Sequence, residues 1–265
     1  MQKERHTKII EIMEKKNVIS IKELAEQLNC TEMTVRRNLD ELQNLNFVKR
    51  ERGYATLLKT AQPTDYQLQV KENASEKEAI AAAALPYVRP GASICLDCGS
   101  TIHQMVKLLP TDITLSVITT NLIAAMTLTG YPNTQVLLPL GFLHHPNRSI
   151  LLAEPDSMKK FSADTAFLSC RAFRAPVGAF ENTHSIIATK KALAGIAGQR
   201  ILLMDYTKWD LNSLCTSIPL EELDIIITDN KAPETSVQVV VDLGKEIIIV
   251  NPDTKKIEAH YNKTK

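Results

Sequence analysis

The strongest restriction on the fold is an alternation of short apolar runs with helical stretches over residues 92–250. Each run holds five or six residues and is rich in Ile, Leu and Val, as in strands that are buried on both faces of a parallel sheet. Ligands of such sheets bind beyond the carboxyl ends of the strands. The predicted strands are Ala92–Asp97, Thr114–Thr119, Gln135–Pro139, Thr165–Ser169, Ile201–Asp205, Asp224–Thr228 and Glu246–Val250, with helices near residues 101–109, 121–129, 186–197 and 234–241.

The segment before this region predicts three short helices and a hairpin. Apolar residues at helical spacing mark a first helix over residues 3–16. Ser20 and Glu23 have the spacing of a capping box, which would open a second helix. Thr31 can cap a third helix that runs to about Asn44. A hairpin over Phe47–Leu58, with Gly53 at its turn, completes a winged helix-turn-helix.

A polar segment separates the two regions. Residues 59–74 contain Pro63 and are predicted to form a linker. A second capping-box pattern at Ser75–Glu78 would open the next domain. We therefore predict a winged helix-turn-helix domain over residues 1–58 and an α/β sensor domain over residues 75–265.

The third helix has the composition of a DNA-reading helix. Val35, Leu39 and Leu42 form its apolar stripe, and the opposite face carries polar and basic side chains. Arg37 can bind guanine in a bidentate manner, while a basic wing suits phosphate contacts. We expect double-stranded operator DNA as the partner, bound by Thr31, Met33, Thr34, Arg36, Arg37, Lys49, Arg50 and Arg52.

Charge, cysteine content and the length of apolar runs indicate the cellular environment of the protein. The first 58 residues hold 11 basic and 9 acidic residues, so net charge alone would not indicate DNA binding. Five cysteines, an odd number, occur without a signal peptide, which is typical of a reduced, cytoplasmic protein. No apolar run approaches the roughly 20 residues that would span a bilayer, so no membrane association is expected.

Polar residues follow several of the predicted strands. A Gly-Ser-Thr turn after the first strand offers hydroxyls and a helix N-terminus, which suit a phosphate. Lysine near the fifth strand could neutralise that phosphate, and aspartates could accept hydrogen bonds from sugar hydroxyls. The expected effector-binding residues are Asp97, Gly99, Ser100, Thr101, Thr120, Asn121, Gly141, Asp205 and Lys208.

The DNA-reading segment resembles the signature of the DeoR family of bacterial repressors. The most specific part is Thr34-Val35-Arg36-Arg37-Asn38-Leu39. The family usually has Asp at the position of Asn38. It usually has Gly-Gly-Ala where this chain has Gly53-Tyr54-Ala55.

The polar landmarks of the second domain, in their order, also resemble this family, so the resemblance covers nearly the whole chain. It implies a sensor domain similar to ribose-5-phosphate isomerase. It further implies a repressor of a sugar-catabolism operon that a phosphorylated sugar releases from DNA. The family usually has Gly at the positions of Phe142 and Ala153, and an acidic residue before the basic pair Lys190-Lys191.

Two other functions remain open from the residues alone. An isomerase-like enzyme fused to a DNA-binding domain would need a general base, for which Asp97 and Glu181 are the candidates. Alternatively, the second domain only oligomerises, as the departures at Phe142 and Ala153 would allow. We expect a regulator with no catalytic residues.

No cofactor or metal ion is expected. Cys95 and Cys98 lie three apart on a strand and so point to opposite faces, and no second pair accompanies them. His144 and His145 lack a matching carboxylate. Because one reading helix covers few base pairs, a homodimer or a higher homo-oligomer is expected.

Overall fold

The computed structural model describes residues 18–44, 48–57, 66–211, 213 and 215–262, together with His6, Lys8, Ile9, Ile12, Met13 and Lys16. The chain divides into two units. The first comprises residues 1–61 and 211–214, and the second comprises residues 62–210 and 215–265. Most of the predicted first helix, the start and end of the predicted hairpin and residues 59–65 of the predicted linker lie outside the described residues.

The first unit is a winged helix-turn-helix. The six described residues before position 18 are helical, and the predicted hairpin is confirmed as an antiparallel pair of strands. A short strand that the sequence did not predict adds to this hairpin, giving the sheet order β1-β3-β2. The elements are β1 (Val18–Ser20), α1 (Ile21–Gln27), α2 (Glu32–Asn44), β2 (Val48–Glu51) and β3 (Tyr54–Leu57).

Capping and burial hold these short elements together. Ser20 Oγ accepts from Glu23 N at 3.1 Å, as the capping box predicts. The Glu23 carboxylate does not follow the prediction, since it accepts from Gln27 and pairs with Lys16. The apolar stripe of α2 packs with the first helix in one core that includes Ile9, Met13, Leu24, Val35, Leu39 and Leu42.

The second unit is built on an eight-stranded sheet of order β16-β15-β14-β12-β9-β4-β5-β6. Seven strands are parallel and correspond to the seven predicted runs, while β16 pairs antiparallel with β15 at one edge. The strands are β4 (Ser93–Leu96), β5 (Leu115–Thr119), β6 (Thr134–Leu137), β9 (Ala163–Leu168), β12 (Ala197–Leu203), β14 (Ile225–Asp229), β15 (Glu246–Asn251) and β16 (Lys256–Tyr261).

Helices cover both faces of this sheet. One apolar core includes Ile80, Ile102 and Leu128 from three helices, packed with one set of alternating strand residues. The other core includes Leu193 and Val240 and packs with the opposite set. The helices are α3 (Tyr66–Lys71), α4 (Ala74–Ala84), α5 (Ser100–Leu108), α6 (Leu122–Leu128), α7 (His184–Gly195) and α8 (Glu234–Asp242).

Several elements differ from the sequence-based expectation. Residues Tyr66–Lys71, within the predicted linker, form a helix. The second capping box is wrong: Asn73 precedes α4 in a left-handed conformation, and Ser75 Oγ donates to Pro252 O at 3.4 Å. The unpredicted strands are β7 (Gly141–His144), which forms a hairpin with β8 (Ser149–Leu152), and β10 (Ala172–Arg174), β11 (Gly178–Glu181) and β13 (Cys215–Pro219), which form a small antiparallel sheet.

The topology fixes where polar strand ends converge. Strands β5 and β6 lie on one side of β4 in the sheet, and β9, which comes later in the chain, lies on the other side. Crossovers that leave one strand in opposite directions open a crevice at the carboxyl ends of β4 and β9, the usual ligand position in such sheets. Among the described residues, no helix is long and apolar enough to cross a membrane.

Candidate functional site

Helix α2 presents the polar face that the sequence predicts. Val35 and Leu39 are fully buried, while Met33 is 77% exposed and Arg37 is exposed. Asn38, at the position where the DeoR family usually has Asp, is buried, and its Nδ2 donates to Thr34 O at 2.7 Å. This internal bond gives Asn38 a role in holding the helix rather than in contacting a ligand.

The first turn of α2 is fixed by its cap. Thr31 Oγ1 accepts from Thr34 N at 3.3 Å, and the two hydroxyls lie 3.0 Å apart. Arg36 is exposed and pairs with Glu32 at 3.0 Å, one turn earlier. Arg37 is also exposed, and no ion pair of its guanidinium is seen among the residues that the structure describes.

The basic residues of the wing lie in three different environments. Lys49 is exposed and pairs with Glu51 at 2.6 Å. Arg52 and Gly53 form the turn with φ of 26° and 92°, the left-handed geometry of tight hairpins. Arg50, which the sequence analysis expects to contact phosphate, forms an ion pair with Asp40 of α2. Its backbone N also donates to Gln43 Oε1 at 2.9 Å, so Arg50 ties the wing to the reading helix.

In the second unit, polar residues lie at the carboxyl ends of four adjacent strands of the main sheet. The order of these strands, β12-β9-β4-β5, brings their ends side by side. We call this region the strand-end crevice and define it by residues 97–101, 119–121, 169–170 and 205–208. Asp97, Ser100, Thr101, Thr120, Asn121 and Asp205 are all buried there, and Lys208 is half-buried.

The loop after β4 needs a glycine for packing. A Cβ on Gly99 would lie 2.7 Å from Ser169 Oγ, closer than real contacts allow. Ser169 itself donates from its backbone N to Asp97 Oδ2 at 3.0 Å. Gly99 therefore lets the β4 and β9 ends approach each other, and Ser100 and Thr101 follow in the first turn of α5.

Both polar atoms of the Asn121 side-chain amide form hydrogen bonds with the backbone. Its Oδ1 accepts from Ile123 N at 3.1 Å and Ala124 N at 3.0 Å, which caps α6. Its Nδ2 donates to Gly99 O at 3.2 Å, which joins the β4 and β5 loops. The adjacent Thr120 Oγ1 is buried without a hydrogen-bond partner among the described residues.

A buried ion cluster, which the sequence did not predict, lies beneath the crevice. Lys190 of α7 pairs with Asp97 and lies 3.5 Å from Glu181 Oε1, and all three side chains are buried. Burial alone would lower the pKa of Lys190, but the charges of Asp97 and Glu181 outweigh it and raise that pKa. Burial raises the pKa of Glu181, against the opposing effect of Lys190. Both candidate general bases are therefore engaged with one buried ammonium.

The other end of the crevice is formed by the loop after β12. Asp205 Oδ1 accepts from Thr207 N at 3.0 Å and from Asn73 Nδ2 at 3.4 Å. Its Oδ2 is buried without a hydrogen-bond partner among the described residues. No ion pair of the Lys208 ammonium is seen within the described ranges, which sets it apart from Lys190.

Lys77 of α4 is a second unpredicted cation near this loop. Its buried Nζ donates to Glu72 O at 2.6 Å and also to Gln69 O. Burial lowers its pKa, Asp205 opposes that shift, and the positive charge of Lys208 adds to it. The sequence offered no signal for Lys77 beyond a capping pattern, whereas Lys190 stood in a basic pair with no indication that it was buried.

Gly141, which the sequence analysis predicts to bind the effector, lies in strand β7 and not at the carboxyl end of a strand of the main sheet. It is exposed in strand β7, and a Cβ there would lie 2.1 Å from Leu151 O of the paired strand. Close strand pairing therefore explains this glycine without a ligand. Phe142, the next residue, is 70% exposed.

The remaining chemistry-bearing residues are packed. Burial raises the pKa values of Cys95, Cys98 and Cys170 to about 12, so these thiols stay protonated at neutral pH. Trp209 is buried against Phe173 and donates to Thr228 Oγ1 at 3.0 Å. No cluster of three metal-ligating side chains occurs in the part of the chain that the structure describes.

Comparison with known proteins agrees with both units. Residues 5–61 match the DeoR-like helix-turn-helix domain, and residues 72–230 match the DeoR C terminal sensor domain. The HTH-type transcriptional regulator YulB of Bacillus subtilis is 32% identical over 251 residues, covering 93% of this chain and 96% of that protein.

A second relative is the glycerol-3-phosphate regulon repressor of Escherichia coli. It is 26% identical over 242 residues, covering 91% of this chain and 96% of that protein. Among solved structures, ribose 5-phosphate isomerase A of Methanocaldococcus jannaschii matches with a TM-score of 0.39 and 18% identity, over 52% of this chain and 55% of that one.

Proposed function

The chain belongs to the DeoR family of transcriptional regulators, and we propose that it represses a sugar-catabolism operon until a small phosphorylated sugar binds in the strand-end crevice. Its first unit would bind double-stranded operator DNA through the exposed face of α2 and the wing. Binding of the effector in the second unit would favour a form with low affinity for the operator.

One observation carries the effector class. Lys208 follows the carboxyl end of β12, and Ser100 and Thr101 begin α5 after the carboxyl end of β4, with β9 between these two strands. A cation, hydroxyls and a helix N-terminus together suit a phosphate dianion. A relative is named for the glycerol-3-phosphate regulon, which supports a small phosphorylated polyol or sugar.

The sequence indicated Asp97 and Asp205 as acceptors for the sugar hydroxyls, and the hydrogen bonds of these two carboxylates favour Asp205. Asp97 Oδ2 already accepts from Ser169 and pairs with Lys190. Asp205 Oδ2 and Thr120 Oγ1 are buried polar atoms without partners among the described residues, and such atoms carry a free-energy penalty that a ligand hydroxyl would relieve. We therefore assign sugar recognition to Asp205 and Thr120, with Asp97 as a support.

The proposal includes no catalytic step. The relatives are transcriptional regulators, and the two candidate bases, Asp97 and Glu181, are both held by Lys190 in the interior. A base for proton transfer has to reach the substrate within hydrogen-bond distance. The regulator would act in the cytoplasm, as a homodimer or a higher homo-oligomer, since two reading helices are needed for a full operator.

The test combines ligand stabilisation with operator release. A panel of sugar phosphates is screened by thermal unfolding, and each ligand that raises Tm is titrated into the protein–operator complex. A ligand at 100 times its Kd should stabilise the protein by about 2.7 kcal/mol and should also release DNA. If no sugar phosphate raises Tm, the proposed effector class is wrong. If a ligand is converted to product during incubation, the chain is an enzyme.

A further inference from the structure

A strip of large apolar side chains lies on the surface of the second unit. Leu140 is 83% exposed and Phe142 is 70% exposed, and neighbouring residues on the same segment are also open to solvent. We call Leu137, Leu138, Leu140, Phe142 and Leu143 the apolar strip. Contiguous exposed apolar residues of this kind mark interaction surfaces, whereas single ones need no explanation.

The strip continues an unpaired edge of the main sheet. Strand β6 is the last strand on its side, so its outer edge has no strand partner among the described residues. Residues 131–147 contain no Lys, Arg, Asp or Glu. Soluble proteins normally protect such edges with charged side chains, because exposed backbone donors and acceptors pair with other chains.

The opposite edge of the same sheet gives an internal comparison. Strand β16 also has exposed apolar residues, with Ile257 at 53%. It is nevertheless protected by the charges of Lys256 and Glu258, which are both exposed. The two edges therefore differ in charge, which is one of the features that keep an edge from pairing with another chain.

We infer that the β6 edge and the apolar strip form the contact surface for a second copy of this chain. The inference rests on the proposed self-association and names its surface. A two-fold axis brings a strand against its own copy, so any charge near the axis would face a like charge. A segment without charges avoids that repulsion, and the absence of Lys and Arg also disfavours docking on an anionic membrane.

The test measures the assembly of the full chain by sedimentation equilibrium over a range of concentrations. The double variant Leu140→Asp and Phe142→Asp should weaken self-association by about tenfold or more, because each aspartate would be buried against the partner copy. The matched control Ile257→Asp, on the opposite edge, should assemble like the parent. Circular dichroism should show that all three proteins are folded.

A measurement on the unmodified chain covers the case in which the double variant fails to fold. Hydrogen exchange of residues 134–144 should slow as the parent assembles on concentration, while residues 256–261 should exchange at an unchanged rate. A parent that is monomeric throughout shows that the proposed self-association is wrong, and the inference falls with it. If the parent assembles with unchanged exchange in the apolar strip, or if a folded double variant assembles normally, the proposed contact surface is wrong although self-association itself stands. A monomeric parent that floats with neutral lipid vesicles would assign the strip to a membrane instead.

Discussion

At the scale of single residues, side chains of one chemical type have opposite roles in this protein. Arg37 is exposed on α2, whereas Arg50 is paired with Asp40. Lys208 lies half-buried at the crevice, whereas Lys190 is buried between two carboxylates. Residue type alone indicates which chemistry is available, and the surroundings decide whether that chemistry faces a ligand or the interior.

We expect Arg37→Ala to lower operator affinity by about 1–3 kcal/mol and to relax discrimination at one base position. Arg37 has the exposure and position that a bidentate guanine contact requires. Arg36→Ala is the matched control, since Arg36 pairs with Glu32 and should contact only phosphate. Binding is measured on the operator and on single-base variants of it. Equal losses on operator and random DNA would show that Arg37 contacts only the backbone.

Lys190→Met should destabilise the second unit by about 3–5 kcal/mol, because it leaves the buried Asp97 without its cation and Glu181 with the more distant Arg171 at 3.9 Å. Lys191→Met, one position along α7 and exposed, should change the free energy of unfolding by less than about 0.5 kcal/mol. Denaturant unfolding of both variants against the parent gives these values.

The loss of unfolding free energy in Lys190→Met should depend on pH. The folded pKa of Glu181 is raised by burial, so its protonated form is favoured on folding and stability falls as pH rises through that pKa. Removing Lys190 strengthens this effect. The deficit of Lys190→Met should therefore shrink as pH falls toward the ordinary range of carboxyl groups, and a deficit that grows on acidification would contradict the ion cluster.

At the scale of elements, the wing is a hairpin attached to the helix that it accompanies. The Arg50 ion pair and the bond from Arg50 N to Gln43 join β2 to α2. Strand β1 completes a three-stranded sheet on the other side of β3. Lys49 and Arg52 are exposed cations of the same hairpin, and we expect them, rather than Arg50, to contact DNA.

Neutralising Lys49 or Arg52 should weaken binding to all DNA alike and lower the log–log salt slope by about 1. Arg50→Ala should lower the slope less and also reduce the stability of the first unit, by about 0.2–1 kcal/mol for a partly exposed ion pair. Salt titrations of binding and thermal unfolding of the three variants separate the two effects. An unchanged slope in both Lys49→Ala and Arg52→Ala would remove the wing from the DNA interface.

At the scale of the whole molecule, repression requires that two units of one chain respond to different partners. Effector binding shifts the population only by the difference between its affinities for the two forms. By linkage, operator DNA must weaken effector binding by the factor by which the effector weakens operator binding. We therefore expect the crevice residues to influence regulation through effector binding alone.

Lys208→Ala should bind the operator like the parent but need about 10 to 100 times more sugar phosphate for release, since one charge-assisted phosphate contact contributes about 1.5–3 kcal/mol. Lys159→Ala is the control, as Lys159 is an exposed cation in the short helix Pro155–Lys160. Both are compared in effector titrations of the protein–operator complex. Release at the parent's effector concentration would show that Lys208 does not bind the phosphate.

The sequence by itself determined the two-domain order, the strands of the main parallel sheet and the family. Continuous apolar runs and the period of 3.6 are local patterns, so seven parallel strands and the apolar stripe of Val35, Leu39 and Leu42 could be predicted from single stretches. Short strands such as β1 and β10 have only three residues each, too few for a period to be recognised in the sequence.

Only the tertiary structure decided which polar residues are committed to the fold. Lys190 meets Asp97 across 93 positions of sequence, and Asn73 reaches Asp205 across 132. Such pairs depend on how the sheet brings strand ends together, and no local pattern records that distance. The residue types at the crevice were therefore predictable, whereas their division between structural support and ligand contact followed from burial and hydrogen bonding in three dimensions.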